Sequence, residues 1–136
     1  MKVNTENIFQ VIDINASAQE VFDTFLSETK HSEFTEMAAK IEPYEGGEFE
    51  ACDGRATGRI LKIVKNKRIV VAWTHQKFPK GHFSIVDIQI QMSDNGCHIG
   101  FNHLGVPSSC DGWMTETWMK TYWSRLKTYM QEPELA

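Results

Sequence analysis

The side chains able to do chemistry in this 136-residue chain are five histidines, three cysteines and a few hydroxyl and carboxylate groups. The histidines are His31, His75, His82, His98 and His103. A structural zinc site needs clustered Cys and His ligands at short, regular spacings. No His-x3-His pair and no Cys/His cluster of that kind occurs. His98 and His103 are an odd number of steps apart, so on one extended strand they point to opposite faces. His103, within Asn102-His103-Leu104-Gly105, is expected either to donate into an interior space or to bond a neighbouring backbone group. Ser108-Ser109 precede a helical segment and are better used as caps than as nucleophiles. No Gly-x-Ser-x-Gly elbow, phosphate-binding glycine loop or kinase signature occurs. Glu50 and Asp53 lie near one hairpin, and paired carboxylates can do acid–base work when their pKa values are pushed apart. An Asp before Gly is already explained by the turn it makes. Cys52, Cys97 and Cys110 form no Cys-x2-Cys pair, and the odd count suits reduced, buried thiols in a reducing compartment. The expectation is a protein without a catalytic site, metal or cofactor.

Charge is more informative. The net charge is −4, but residues 1–54 hold 12 acidic and 3 basic side chains, while residues 55–136 hold 6 acidic and 11 basic. Between positions 55 and 86 every charged residue is a cation: Arg55, Arg59, Lys62, Lys65, Lys67, Arg68, Lys77 and Lys80. These are expected to form a basic surface opposite an acidic one, a polarity that steers association with a charged partner. The same cations also fit the solvent face of two strands. Nucleic acid is not the expected partner, because the chain as a whole is acidic.

The elements that must position these groups follow from periodicity. A first strand is expected over 8–14, then a helix from the capping box Ser17/Glu20 to about Glu28, with Val21/Phe25 and Phe22/Leu26 on one face. A short helix is expected around 32–37, with Phe34 inward. Strands follow: one at Phe49/Ala51, a two-residue hairpin turn at Asp53-Gly54, then 57–64, 69–75, 84–92 and 97–104. The strand at 69–75 is apolar on both faces and belongs at the centre of the sheet. Ser108/Asp111 signals a second helix start, and the helix runs to about Gln131 before Pro133. Trp118, Tyr122, Leu126 and Tyr129 fall on one face, widened by Met119, Trp123 and Met130. A helix so rich in aromatic residues must lie against a large apolar surface. The fold class is α+β: a curved antiparallel sheet of about six to seven strands wrapped on a long C-terminal helix, with one or two short helices after the first strand, as one domain over 1–136. No apolar run reaches the roughly 20 residues of a membrane span. With no signal-like N-terminus either, the cytoplasm is the expected location.

Phe34-Thr35, Gly46-Gly47-Glu48-Phe49, Asp53-Gly54 and Gly58 resemble the opening of the domain found in activators of the 90 kDa heat-shock chaperone ATPase. Trp73, Pro79-x-Gly81-His82-Phe83, Gly105-Val106-Pro107 and Trp118-x3-Tyr122-Trp123-x2-Leu126-Lys127 continue the likeness in the same order, from about Ile8 to Gln131. The glycine and tryptophan landmarks are shared by the wider helix-grip superfamily (SRPBCC, START-like, Bet v 1-like). The resemblance implies a C-terminal-type domain of such an activator. It also implies a non-catalytic partner of the 90 kDa chaperone that modulates its ATPase cycle. Full-length activators carry a further N-terminal domain important for stimulation. The superfamily also implies an alternative: a binder of a small hydrophobic ligand, in a cavity lined by Phe22, Trp73, Ile88, Trp118 and Tyr122.

Overall fold

The computed structural model describes residues 3–131, so Pro133 lies outside the described residues. Helix α1 (Ala18–Leu26) starts as its capping box requires. Ser17 Oγ accepts the Glu20 N–H at 3.0 Å, and the Glu20 carboxylate accepts the Ser17 N–H at 3.3 Å. Val21, Phe22, Phe25 and Leu26 are all buried. Helix α2 (Glu28–Thr35) begins earlier than the expected 32–37 because Ser27 serves both helices. Its N–H closes α1 on the Asp23 carbonyl, and its side chain accepts the Lys30 N–H to open α2. Phe34 is buried, as its position implied.

Seven strands make one antiparallel sheet in the order β1-β7-β6-β5-β4-β3-β2. They are β1 (Thr5–Ile14), β2 (Lys40–Ile41), β3 (Glu48–Ala51), β4 (Ala56–Val64), β5 (Arg68–His75), β6 (Ser84–Ser93) and β7 (Gly96–Pro107). The doubly apolar β5 is the fourth of the seven, at the centre. Strand period 2 sets the inner face: Ile8 and Ile12 of β1, Ile99, Phe101 and His103 of β7, Val86 and Ile88 of β6, and Val71 and Trp73 of β5, all buried. Strand β4 approaches β5 closely at Gly58, where a Cβ would sit 1.9 Å from the Ala72 carbonyl oxygen. Only glycine fits there.

The hairpin between β3 and β4 departs from the two-residue turn expected at Asp53-Gly54. Ala51 pairs with Ala56, so four residues connect the strands, and Cys52, Asp53 and Gly54 all take positive φ (54°, 57° and 86°). Asp53 holds this turn to the end of α2. Its Oδ1 accepts the Ala38 N–H at 2.7 Å, and its own N–H donates to the Ala38 carbonyl at 3.1 Å. Asp53→Ala should therefore cost about 1–2 kcal/mol, and Asp53→Gly less, because glycine relieves the left-handed strain while losing the same acceptor. Urea midpoints of the two variants measure the difference; equal loss would mean that the strain carries no cost.

After β7 the Ser108 cap is not formed. Strand β7 continues beyond the expected 104 to Pro107, opposite Thr5, and Ser108 gives its N–H to the Asn4 carbonyl at 2.9 Å. Ser108 instead opens a 3-10 turn, Ser108–Cys110, and so lacks the extended backbone from which a cap side chain accepts. The helix starts one turn later and has no side-chain cap. It runs as α3 (Asp111–Thr117), a π-helical stretch Trp118–Trp123, and α4 (Ser124–Gln131). The wider π turn, marked by the Ser124 N–H on the Met119 carbonyl, lets three large rings share the buried face. Trp118, Tyr122 and Trp123 are each no more than 2% exposed. Met119, expected to widen that face, is instead 48% exposed. Arg125 caps α2 by donating to the Thr35 carbonyl.

Candidate functional site

Two buried histidines lie between sheet and helix, and one has the geometry of a nucleophile pair. His103 Nε2 is 2.7 Å from Ser84 Oγ. Hydrogen bonding decides what the pair can do. The Trp118 indole N–H, a donor only, points at His103 Nδ1 at 3.0 Å. Nδ1 must accept, so Nε2 carries the proton and donates to Ser84, whose hydroxyl donates to the Trp73 carbonyl at 2.8 Å. A general base would need its lone pair facing the serine. Here the lone pair is spent on an indole. His103 is 0% and Ser84 2% exposed, and burial holds the imidazole down at a pKa of about 3. The chain Trp118–His103–Ser84–Trp73 ties helix to sheet.

His31 repeats the arrangement on the other side of the helix. Its Nδ1 donates to the Phe25 carbonyl at 2.9 Å, and its Nε2 accepts the Tyr122 hydroxyl at 3.0 Å. Desolvation lowers its pKa to about 4, against the opposing pull of the Phe25 carbonyl. The Tyr122 hydroxyl also meets the Cys52 thiol, and burial pushes both groups up. Gln10 was not singled out by sequence, yet it accepts the Trp123 indole N–H at 2.8 Å and donates to the Thr115 carbonyl at 3.1 Å. An alternating strand with one polar residue on its inward face was the available signal. The remaining histidines are dispersed: His75 stands edge-on to Trp113, His82 donates to the Gly105 carbonyl, and His98 pairs with Asp13 on the outer face. Among the described residues, no group of three His, Cys, Asp or Glu side chains is placed to hold a metal ion. No helix among them is long and apolar enough to cross a membrane.

The five residues read from sequence as a ligand cavity are all buried. Three are drawn together, with ring centroids 4.6 Å apart for Trp118 and Tyr122 and 5.7 Å for Trp73 and Trp118. Phe22 lies on α1 and Ile88 on β6. None of the five lines any of four grooves that open on the surface of the described residues.

The eight cations belong to the residue just before β4, the β4–β5 hairpin and the loop after it, but the hairpin separates them. Lys62, Lys65, Lys67 and Arg68 lie at its turn, while Arg55, Lys77 and Lys80 lie at its far end, about 25 Å away for an eight-step ladder. Arg59 sits between, donating to the Gly46 carbonyl at 2.8 Å, with Glu48 at 3.8 Å. Arg68 is spent on Asp87 through two bonds of 2.8 and 3.0 Å. Lys77 stands 4.3 Å from the Trp113 ring centre. Lys65 and Lys67 are exposed and, among the described residues, have no carboxylate within 4.0 Å. Beside them opens the largest of the four grooves, about 1250 Å³, lined by residues of the hairpin turn, β1, β6, β7 and the start of α1.

Known proteins share this architecture. An HSP90 activator from Plasmodium falciparum superposes with a TM-score of 0.85 at 14% identity, covering 93% of this chain and 97% of that one. The Aha1 dimer from Colwellia psychrerythraea superposes at 0.78 with 15% identity, covering 93% and 96%. In sequence, the chain is 24% identical over 111 residues to the human Activator of 90 kDa heat shock protein ATPase homolog 1. That alignment takes in 82% of this chain but 33% of the human protein, so the chain spans about a third of the length of such relatives. The family described as Activator of Hsp90 ATPase homolog 1-like protein matches residues 15–131. With six of the seven strands and the described C-terminal helix inside that match, the chain belongs to the Activator of Hsp90 ATPase homolog 1-like family.

Proposed function

We propose that this chain binds the 90 kDa heat-shock chaperone and modulates its ATPase cycle without a catalytic step of its own. The family match over 15–131 carries the reading. The cationic β4–β5 hairpin, with Lys65 and Lys67 exposed, supports it as a surface suited to an acidic face. A non-catalytic partner accelerates such a cycle only by binding the hydrolysing conformation better than the others, and tenfold preference is worth about 1.4 kcal/mol. The test is ATP turnover by the purified chaperone with and without this chain, together with a direct binding measurement. Changed turnover and a salt-sensitive complex are expected; unchanged turnover and no complex at any concentration up to about 100 μM end the idea.

A second reading, binding of a small apolar ligand between sheet and helix, is favoured by one observation. The Trp73 indole Nε1 is buried without an acceptor among the described residues, a state a bound acceptor would relieve. Solvent extraction of the purified protein followed by mass spectrometry should then release a stoichiometric compound, and a clean extract removes the reading.

A further inference from the structure

The groove beside Lys65 and Lys67 crosses the outer face of the sheet at right angles to its strands, and cross-strand register explains its shape. Val64, Arg68, Gln89, Gly100 and Val11 stand directly opposite one another across β4, β5, β6, β7 and β1. Gly100 removes the side chain between Gln89 and Val11 in this row, and a Cβ built there would meet nothing within 4 Å. The floor is therefore open above the β7 backbone. Exposed apolar side chains flank it, Val11 at 62% and Met92 at 81%. Gln89 and Gln91 place side-chain amides along it, able to donate to and accept from a peptide backbone. The charge is one-sided. Asp13, bonded to His98, lies on β1 at the opposite end of the groove, and Arg68 is engaged by Asp87, so Lys65 and Lys67 set the field at the hairpin end.

We propose that this groove seats an extended peptide segment of a protein partner, with an apolar side chain over Gly100 and carboxylates at Lys65 and Lys67. Four strand spacings make the row about 19 Å long, the reach of about six extended residues. A single-stranded nucleic acid would want aromatic platforms, and no Phe, Tyr or Trp lines the groove. An anionic bilayer would want a broader cluster of cations than two lysines on a recessed surface. The proposal deepens the chaperone reading, and rests on it only for who supplies the peptide.

The test uses the full chain and a fluorescein-labelled peptide, Leu-Ala-Leu-Glu-Glu-Asp, with Leu-Ala-Leu-Lys-Lys-Lys as control, followed by anisotropy. The acidic peptide should bind in the range of about 10–100 μM, weakening with salt, and the basic one should not. Lys65→Glu with Lys67→Glu should weaken binding about tenfold or more, and so should Gly100→Val, which fills the trough with a residue suited to a strand. Arg55→Glu with Lys80→Glu, at the far end of the hairpin, should leave binding unchanged. Absence of binding, binding indifferent to Gly100→Val, equal loss at the far end, or tighter binding of anionic vesicles or single-stranded DNA would each overturn the proposal. The same variants are then titrated against the intact 90 kDa chaperone. Chaperone binding that survives both groove variants refutes the groove and spares the chaperone reading. Peptide binding without chaperone binding does the reverse.

Discussion

Trp118→Ala is expected to remove about 5 kcal/mol of stability, enough to unfold many domains of this size. Two physical losses combine. The indole is 2% exposed and packs on Phe101, Tyr122, Trp73 and His103, with ring centroids from 4.5 to 5.7 Å away, so truncation leaves a cavity walled by rigid rings. Such a truncation costs about 3–5 kcal/mol. The indole N–H is also the donor to His103 Nδ1, and leaving that buried acceptor unpaired costs about 1–3 kcal/mol more. Trp118→Phe separates the terms: much of the ring packing stays while the donor goes, and about 2–3 kcal/mol should be lost. Should the alanine variant fail to fold, the phenylalanine variant still measures the bond. Urea unfolding followed by far-UV circular dichroism reads both. A phenylalanine variant as stable as the parent would mean that the Trp118–His103 bond contributes nothing, and with it the argument for the imidazole tautomer.

The aromatic helix face that makes this effect large was legible in the sequence, because Trp118, Tyr122 and Leu126 recur at helical spacing. So were the central position of β5, from its doubly apolar pattern, and the Ser17/Glu20 cap. What escaped depends on register and on competition between partners. Lys40–Ile41 is too short to show period 2, and it exists as a strand because Glu50 and Phe49 lie opposite it. Ser108 has the sequence of a cap and opens a 3-10 turn instead. The π turn that brings Tyr122 and Trp123 together is a packing solution without a local signature. The cationic run at 55–80 was visible, but its division between two ends of a hairpin follows only from pairing Ala56 with His75 and Val64 with Arg68. Gln89, Gln91 and Val11 could be assigned to outward positions by alternation. That Gln89 and Val11 stand in one row with Gly100 between them is a property of register, which one sequence does not print.

Stability should fall by about 4 kcal/mol when the pH is lowered from 7 to 5, and the two interior histidines are the cause. His31 and His103 are both fully buried, each bonded in the neutral form, with desolvation lowering their pKa values to about 4 and about 3. In the unfolded chain the same imidazoles titrate near 6.5. Below that value the unfolded state binds protons that the folded state refuses, so the stability present above pH 6.5 drains away as pH falls towards 4 and 3. At pH 5 the difference is about 2 kcal/mol for each histidine. His75 is 6% exposed and held at about 4 by desolvation, with Lys77 and Arg55 adding to the effect, but it sits just beneath the surface beside the exposed Lys77 and the half-buried Trp113, where local relaxation admits water to its charge, so it adds less. Ordinary carboxylates begin to titrate only near the bottom of this interval, leaving pH 6.5 to 5 to the histidines. Over that interval the slope of unfolding free energy against pH should approach two protons, about 2.7 kcal/mol per unit. His103→Asn keeps an acceptor for the Trp118 N–H and removes one titrating group, so it should reduce the slope to about 1.4 kcal/mol per unit, whatever it does to stability at pH 7. Guanidinium titrations of parent and variant at half-unit steps give both slopes. A parent slope near zero would mean that both imidazoles accept a proton in the folded state, which the burial of both rings, the Tyr122 hydroxyl on His31 and the Trp118 indole on His103 all oppose.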